Sequence, residues 1–231
     1  MSLPELPQLY EKYGKEKVDE AISFLTYRHT TPLPKDEPLD TPILYVFRHG
    51  QSQDNLDLLF SGWRDVDLTD EGVEQAEVLA EKLADKKIQM LISSDQKRTY
   101  KTMQIAMSKN LHAQGLETIL DKRLRERSYG DWQGTSKLVM QLEDPKGLAE
   151  VRRGWKKPAP NGESLVDVNK RVNELLDEII PQMKEHKINV AIACSSNSIR
   201  PIRKRFENLS EDEAANIETQ LAQDYAAYPI K

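Results

Sequence analysis

Apolar positions in this chain follow two patterns, one with helical spacing and one made of short continuous runs. Val18, Ala21, Ile22 and Leu25 fall at i, i+3, i+4 and i+7 within the first 27 residues, which places them on one face of an amphipathic helix. Such a face has to be covered, and docking on the chain's own domain is preferred over a partner-binding arm. Pro32, Pro34, Pro38 and Pro42 follow among polar residues, a stretch that cannot continue a helix and predicts an extended linker. The expected division is an N-terminal helix with a Pro-rich linker over 1–41 and a main domain over 42–231.

From Pro42 onward, apolar runs of strand length alternate with segments of helical period. The runs predict strands over Ile43–Phe47, Ile88–Ile92, Thr118–Leu120 and Ile188–Ala193. Thr69 is placed to cap a helix carrying Val73, Ala76, Leu79, Ala80 and Leu83 that stops near Asp85–Lys87. Ser164, with Asp167 behind it, opens another whose stripe is Leu165, Val168, Val172, Leu175, Leu176, Ile179 and Met183. The alternation predicts an α/β fold of three layers, α/β/α, with a mostly parallel sheet and helices on both faces. No internal repeat or low-complexity segment interrupts it.

Composition narrows the function classes. A length of 231 residues with 38% hydrophobic side chains supplies one sizeable core, hence a single main domain. The 33 basic and 38 acidic side chains leave a net charge of −5, with no excess to neutralise a nucleic-acid backbone. No apolar run reaches the roughly 18 residues of a membrane span, and Met1–Tyr10 lacks a signal-peptide layout, so a cytoplasmic protein is expected. Cys194 has no second cysteine to pair with. The histidines, His29, His49, His112 and His186, are widely spaced, so neither a disulfide nor a metal site is expected.

In an open α/β sheet, ligands bind at the carboxyl ends of strands, and the first strand runs into Arg48-His49-Gly50-Gln51-Ser52. An imidazole held through one ring nitrogen can attack phosphorus with the other, while a neighbouring guanidinium binds the phosphoryl oxygens. That chemistry calls for a second arginine. Arg98 meets the need: it follows Ser93-Ser94-Asp95-Gln96-Lys97 at the second strand end, in the first turn of a helix. The third strand leads to Leu124-Arg125-Glu126-Arg127-Ser128-Tyr129-Gly130, where Glu126 reads equally as proton donor and acceptor or as a salt-bridge partner of Arg98 or Arg127.

Together these motifs resemble the histidine phosphatase superfamily, over about Ile43 to Asn208. Four further features are similar to its cofactor-dependent phosphoglycerate mutases of the short form: Asn55 after the nucleophile, the stretch Phe60-Ser61-Gly62-Trp63-Arg64-Asp65-Val66-Asp67-Leu68, Tyr129 with Lys137 seven residues beyond Gly130, and Arg152-Arg153 ahead of Asn161-Gly162-Glu163-Ser164. A phosphoglycerate carries a carboxylate as well as a phosphate, and paired arginines suit both. On charge alone, Arg152, Arg153, Lys156 and Lys157 also read as a solvated basic loop.

The resemblance implies a phosphoryl relay through His49, primed by 2,3-bisphosphoglycerate, with interconversion of 2- and 3-phosphoglycerate in glycolysis and gluconeogenesis and with no metal. It implies Glu126 as the proton carrier and Arg48, Arg98 and Asn55 around the phosphoryl group. Tyr129, Lys137, Arg152 and Arg153 would hold the glycerate and its distal phosphate, with backbone help near Ser61-Gly62 and Ser196-Asn197. Partners are then small phosphorylated metabolites. Dimers are common in the family, so a homodimer is admitted, and the N-terminal helix could serve its interface.

One departure stands out. Where the family has His-Gly-Asn-Ser-Leu-Arg after the last strand, this chain has Ser195-Ser196-Asn197-Ser198-Ile199-Arg200. The family's imidazole donates to the transferring phosphoryl group, and losing one such donor costs about 10² to 10³ in rate. His186 lies before the strand and cannot replace it. An engineered change, a natural variant in which Ser195 acts with a water molecule, and a pseudoenzyme are the three explanations, the retained nucleophile, arginines and acid weighing against the last. Cys194 next to it reads as a small core residue near enough to the pocket for oxidation to matter. The chain ends soon after Tyr228, where relatives often carry a tail that orders over the site, so a more hydrolysis-prone pocket is expected. A phosphatase of small phosphate esters and a non-catalytic phosphometabolite-binding protein are the competing readings.

Overall fold

The computed structural model describes residues 5–26 and 30–231; residues 1–4 and 27–29, with His29, lie outside the described residues. Five strands make one sheet: β1 (Ile43–Arg48), β2 (Ile88–Ser93), β3 (Thr118–Leu120), β4 (Asn189–Cys194) and β5 (Ala226–Pro229), in the order β3-β2-β4-β1-β5. The first four run parallel, with Leu44 opposite Val190 and Leu91 opposite Ala191, while β5 lies antiparallel on β1 with Tyr228 opposite Leu44. Ten helices surround it among the described residues: α1 (Leu6–Tyr13), α2 (Lys15–Thr26), α3 (Gln53–Leu56), α4 (Asp70–Leu83), α5 (Lys97–Met107), α6 (Lys137–Glu143), α7 (Pro145–Arg153), α8 (Leu165–His186), α9 (Ser196–Glu207) and α10 (Glu211–Asn216).

β1 and β4 are covered on both faces, which is why they read as nearly unbroken apolar runs, whereas the edge strand β3 leaves Ile119 and Leu120 exposed. Leu44, Val46, Val190 and Ile192 point to a layer formed by Val168, Val172 and Leu176 of α8 and Ile199 and Ile202 of α9. Tyr45, Phe47, Leu91 and Ala191 face the opposite layer, with Leu79 and Leu83 of α4 and Met103 and Ala106 of α5. Burying each such side chain contributes about 1.5–3 kcal/mol relative to leaving it in water. The caps fall where the side chains allow: Thr69 accepts from the Gly72 N–H, and Ser164 forms a capping box with Asp167. β4 begins one residue later than its apolar run because Ile188 N–H still closes the end of α8 on Met183 O, at 3.2 Å.

Two regions differ from the sequence expectation. β5 has no bulk alternation, only Ala226, Ala227, Tyr228 and Pro229, yet it pairs with β1. Its outer edge is in turn covered by the Pro-rich segment: Ala227 N–H donates to Pro34 O at 2.9 Å, and Asp36 N–H to Ala227 O at 3.2 Å. The segment is therefore hydrogen-bonded to the sheet rather than a bare linker, and it blunts an exposed edge. At the N-terminus there are two helices, separated at Gly14 with φ +82°. Val18, Ala21 and Leu25 of α2 are buried, together with Leu9 of α1, against Leu138 and Leu142 of α6 and Phe60.

Candidate active site

β1 delivers Arg48 and His49 to the carboxyl end of the sheet, and His49 N–H continues the ladder to Cys194 O at 3.2 Å. The imidazole Nδ1 lies 2.6 Å from Gly50 O. A carbonyl only accepts, so Nδ1 carries the proton and Nε2 carries the lone pair needed by a nucleophile. Gly50 is required here: a Cβ would come within 2.2 Å of Gly72 O. Its N–H donates to Thr102 Oγ1 at 3.1 Å, which ties the turn after His49 to α5.

Arg98, in the first turn of α5, is 1% exposed and reaches two backbone carbonyls, Arg64 O at 2.9 Å and Gly62 O at 3.0 Å. Burial pulls its guanidinium below the ordinary arginine range, opposed by the charges of Glu126, Asp54 and Asp65. Gln96 binds the same region together, donating to Gly62 O at 2.9 Å and accepting the Glu126 N–H at 3.0 Å. Glu126 is buried, and its Oε1 accepts from Arg127 N–H at 2.7 Å. The carboxylate forms no ion pair with Arg98 or Arg127 among those of the described residues. Asn55 uses its carbonyl oxygen in the α3 capping box with Ser52, which leaves its amide N–H groups for a ligand.

The far wall comes from another part of the chain. Tyr129 packs on Phe60 at 4.8 Å between rings and accepts from Arg127 Nη2 at 3.2 Å and Asn197 Nδ2 at 3.3 Å. Burial works to raise the Tyr129 phenol, but the positive charge of Arg127, with that of Arg152, brings it below its ordinary value. Lys137 opens α6 and donates from its ammonium to Leu59 O. Arg152 and Arg153 close α7, and Arg153 Nη1 lies 2.5 Å from Glu218 Oε1. Ser196 and Asn197 occupy the first turn of α9, whose N–H groups add positive potential at that end.

These residues line one cleft: Arg48, His49, Asn55, Ser61, Gly62 and Arg98 together with Glu126, Tyr129, Lys137, Arg152, Arg153, Ser196 and Asn197. Ser195 is absent from that wall. It is fully buried at the N-cap of α9, makes no capping bond, and its hydroxyl finds no acceptor or donor among the described residues. His186 sits in the last turn of α8, at the other end of β4. Cys194 is also fully buried, and burial pushes its thiol up, so a reactive thiolate near the pocket is disfavoured, contrary to the oxidation expectation. Among the described residues no group of three or more His, Cys, Asp or Glu side chains could hold a metal ion, and no helix is long and apolar enough to cross a membrane.

Two lining residues were not foreseen, Arg200 and Glu218. Arg200 lies three residues after Asn197 on α9 and donates to its Oδ1 at 3.0 Å, so helical spacing held the signal. Burial, opposed by the charge of Glu218, pushes its guanidinium down to about 10. Glu218 follows α10 in a segment without periodicity, and nothing local marks it.

A cationic cleft at parallel strand ends that holds an oriented imidazole has the form of a phosphoryl-transfer site. The family model "Histidine phosphatase superfamily (branch 1)" matches residues 44–226, and the chain belongs to that superfamily, as an enzyme of it. A 2,3-bisphosphoglycerate-dependent phosphoglycerate mutase of Allorhizobium ampelinum is 39% identical over 181 residues, 77% of this chain and 85% of the relative. The mutase of the same name from Cytophaga hutchinsonii is 35% identical over 179 residues, 77% and 83% of the two chains. Among solved structures, a mycobacterial glucosyl-3-phosphoglycerate phosphatase complexed with VO3 is similar with a TM-score of 0.72 and 26% identity, covering 80% of this chain and 92% of that one. A putative alpha-ribazole-5'-P phosphatase of Escherichia coli shares the fold at 22% identity, with a TM-score of 0.67 and coverage of 80% and 89%.

Proposed function

We propose that the protein interconverts 2- and 3-phosphoglycerate through a phosphohistidine on His49, at a rate lowered by Ser195. The observation that carries this reading is that Arg152, Arg153 and Lys137 line the same cleft as Arg48, His49 and Arg98, more positive charge than a phosphate alone requires. The relatives named as mutases support it. His49 Nε2 forms a bond to phosphorus as the bond from phosphorus to the ester oxygen breaks, and Glu126 gives that oxygen its proton. In the return step Glu126 takes the proton of the acceptor hydroxyl. Arg48, Arg98 and the Asn55 amide hold the phosphoryl oxygens in place as charge shifts across them, so catalysis is mostly positioning and electrostatics. Tyr129, Lys137, Arg152 and Arg153 orient the glycerate, with the backbone near Ser61-Gly62 and Ser196-Asn197.

Six cationic side chains against two carboxylates on the cleft wall suit a multiply anionic ligand, and the buried Arg98 Nε finds no acceptor among the described residues. When bound, 2,3-bisphosphoglycerate would supply the phosphoryl group that primes His49. In this reading residues 42–231 form the catalytic unit, α1 and α2 buttress α6, and the enzyme works on small cytoplasmic metabolites in glycolysis and gluconeogenesis, with a homodimer as a compatible assembly.

A second reading, a phosphatase of small phosphate esters with water as acceptor, is favoured by the phosphatases among the similar structures. Replacing Arg152 and Arg153 with alanine separates the two. A mutase loses phosphoglycerate turnover by about 10² or more while an aryl phosphate is hydrolysed as before. Equal effects on both substrates, or none on phosphoglycerate, favour the phosphatase.

A further inference from the structure

The segment between α10 and β5, residues 217–225, lies against the reaction centre. Arg48 Nη1 donates to Thr219 O at 2.8 Å, and Ala222 N–H to His49 O at 3.4 Å. Its backbone is held from outside as well, since Thr31 N–H donates to Glu218 O at 2.9 Å. This fixed backbone puts the Glu218 side chain into the cleft wall, 14% exposed, with Oε1 at 2.5 Å from Arg153 Nη1 and 3.8 Å from Arg200 Nη2. The carboxylate thus bridges two guanidinium groups, one of them a member of the clamp assigned above to the substrate.

A protein carboxylate in that place does what a ligand's second anionic group would do. A guanidinium has a limited fork of donors, and a short charge-assisted bond to one carboxylate competes with a second. We propose that Glu218 is a specificity-determining residue, an internal anion on Arg153 that a substrate's second anionic group must displace, so that the cleft holds phosphate esters with a second anionic group less tightly than its arginines alone would, while phosphate itself is little affected. The proposal rests on Arg153 being part of the substrate clamp.

The bland alternative is that Glu218 merely neutralises Arg153 and Arg200 so that two like charges can be held close together. That role predicts a loss of thermal stability on neutralisation with the same effect on every anion. The two are separated by equilibrium binding, measured by calorimetry, of 3-phosphoglycerate and of inorganic phosphate to the intact chain, to Glu218→Gln and to Glu218→Asp. Glu218→Gln keeps the shape and removes the charge, and should tighten 3-phosphoglycerate by about tenfold while inorganic phosphate changes by about twofold or less. Glu218→Asp withdraws the carboxylate by one methylene and should fall between; it also decides the matter should Glu218→Gln fail to fold. Weaker binding of 3-phosphoglycerate, or equal changes for both ligands, overturns the proposal. Because the readout is binding, it stands apart from turnover: a chain that fails to interconvert phosphoglycerates contradicts the proposed reaction and leaves this affinity ratio as a separate result.

Discussion

In the cleft wall, Arg98 is 1% exposed and both terminal nitrogens rest on backbone carbonyls of the 62–64 loop. In the same wall, the Arg153 side chain is 36% exposed and is met by another side chain, Glu218. The first kind of anchorage has little freedom, because the carbonyls are fixed by the loop and by Gln96, which also positions the Glu126 backbone. The second can rearrange by rotation about side-chain bonds. A reaction centre gains from preorganisation, whereas a substrate clamp has to release one anion to take another. One fold supplies both by placing the first in the opening turn of α5 against the 62–64 loop and the second on the end of α7 and a loop.

The comparison can be broken most severely at His49. His49→Ala should abolish acid-labile phosphorylation of the protein and lower turnover by about 10⁴ or more, and labelling that survives the change removes the phosphohistidine altogether. Arg98→Lys keeps the charge but loses the fork that spans Gly62 O and Arg64 O, and kcat should fall about 10² to 10³ with the thermal midpoint lowered as well. If the rigid anchorage tolerated that exchange as readily as Arg153→Lys, the contrast between the two anchorages would vanish. Gly50→Ala forces a side-chain Cβ to within 2.2 Å of the backbone oxygen of Gly72 and should cost about 2 kcal/mol or more in urea unfolding.

The smallest effect concerns acid stability at the rim. Arg125 grips Asp95 through both oxygens, at 2.7 and 2.5 Å, and holds its carboxyl below the usual range. A depressed folded pKa gives a contribution present above the unfolded value and lost as pH falls through the folded one. Asp95→Asn should therefore cost about 1 kcal/mol or less at neutral pH, and its stability should approach that of the parent chain as pH falls below about 4, where unpaired carboxylates protonate.

Strands buried on both faces announce themselves, so β1 and β4 were legible as apolar runs and the helices after Thr69 and Ser164 as capped stripes; β2 and the exposed edge strand β3 were legible only from short aliphatic runs. β5 was not, because two alanines, a tyrosine and a proline carry no pattern until β1 and the Pro34–Asp36 segment bracket them. In the site, residues fixed to strand ends or to the first turns of helices follow from the sequence once those elements are placed. Glu218 does not, since only the path of the chain after α10 brings it to Arg153. Ser195 shows a different limit. Its backbone stands beside Ser196 on the cleft wall, but a short side chain at the N-cap of α9 is buried instead of reaching in, so position in a motif does not secure a catalytic contact.

The most direct test is the rate of 3-phosphoglycerate to 2-phosphoglycerate conversion, primed with 2,3-bisphosphoglycerate, in this chain and in Ser195→His side by side. A slow parent and a histidine variant faster by about 10² to 10³ is the result expected of a mutase lacking one donor to the phosphoryl group. If neither interconverts the phosphoglycerates while either releases phosphate from other esters, the mutase account is contradicted and the clamp at Arg152 and Arg153 has been given the wrong ligand.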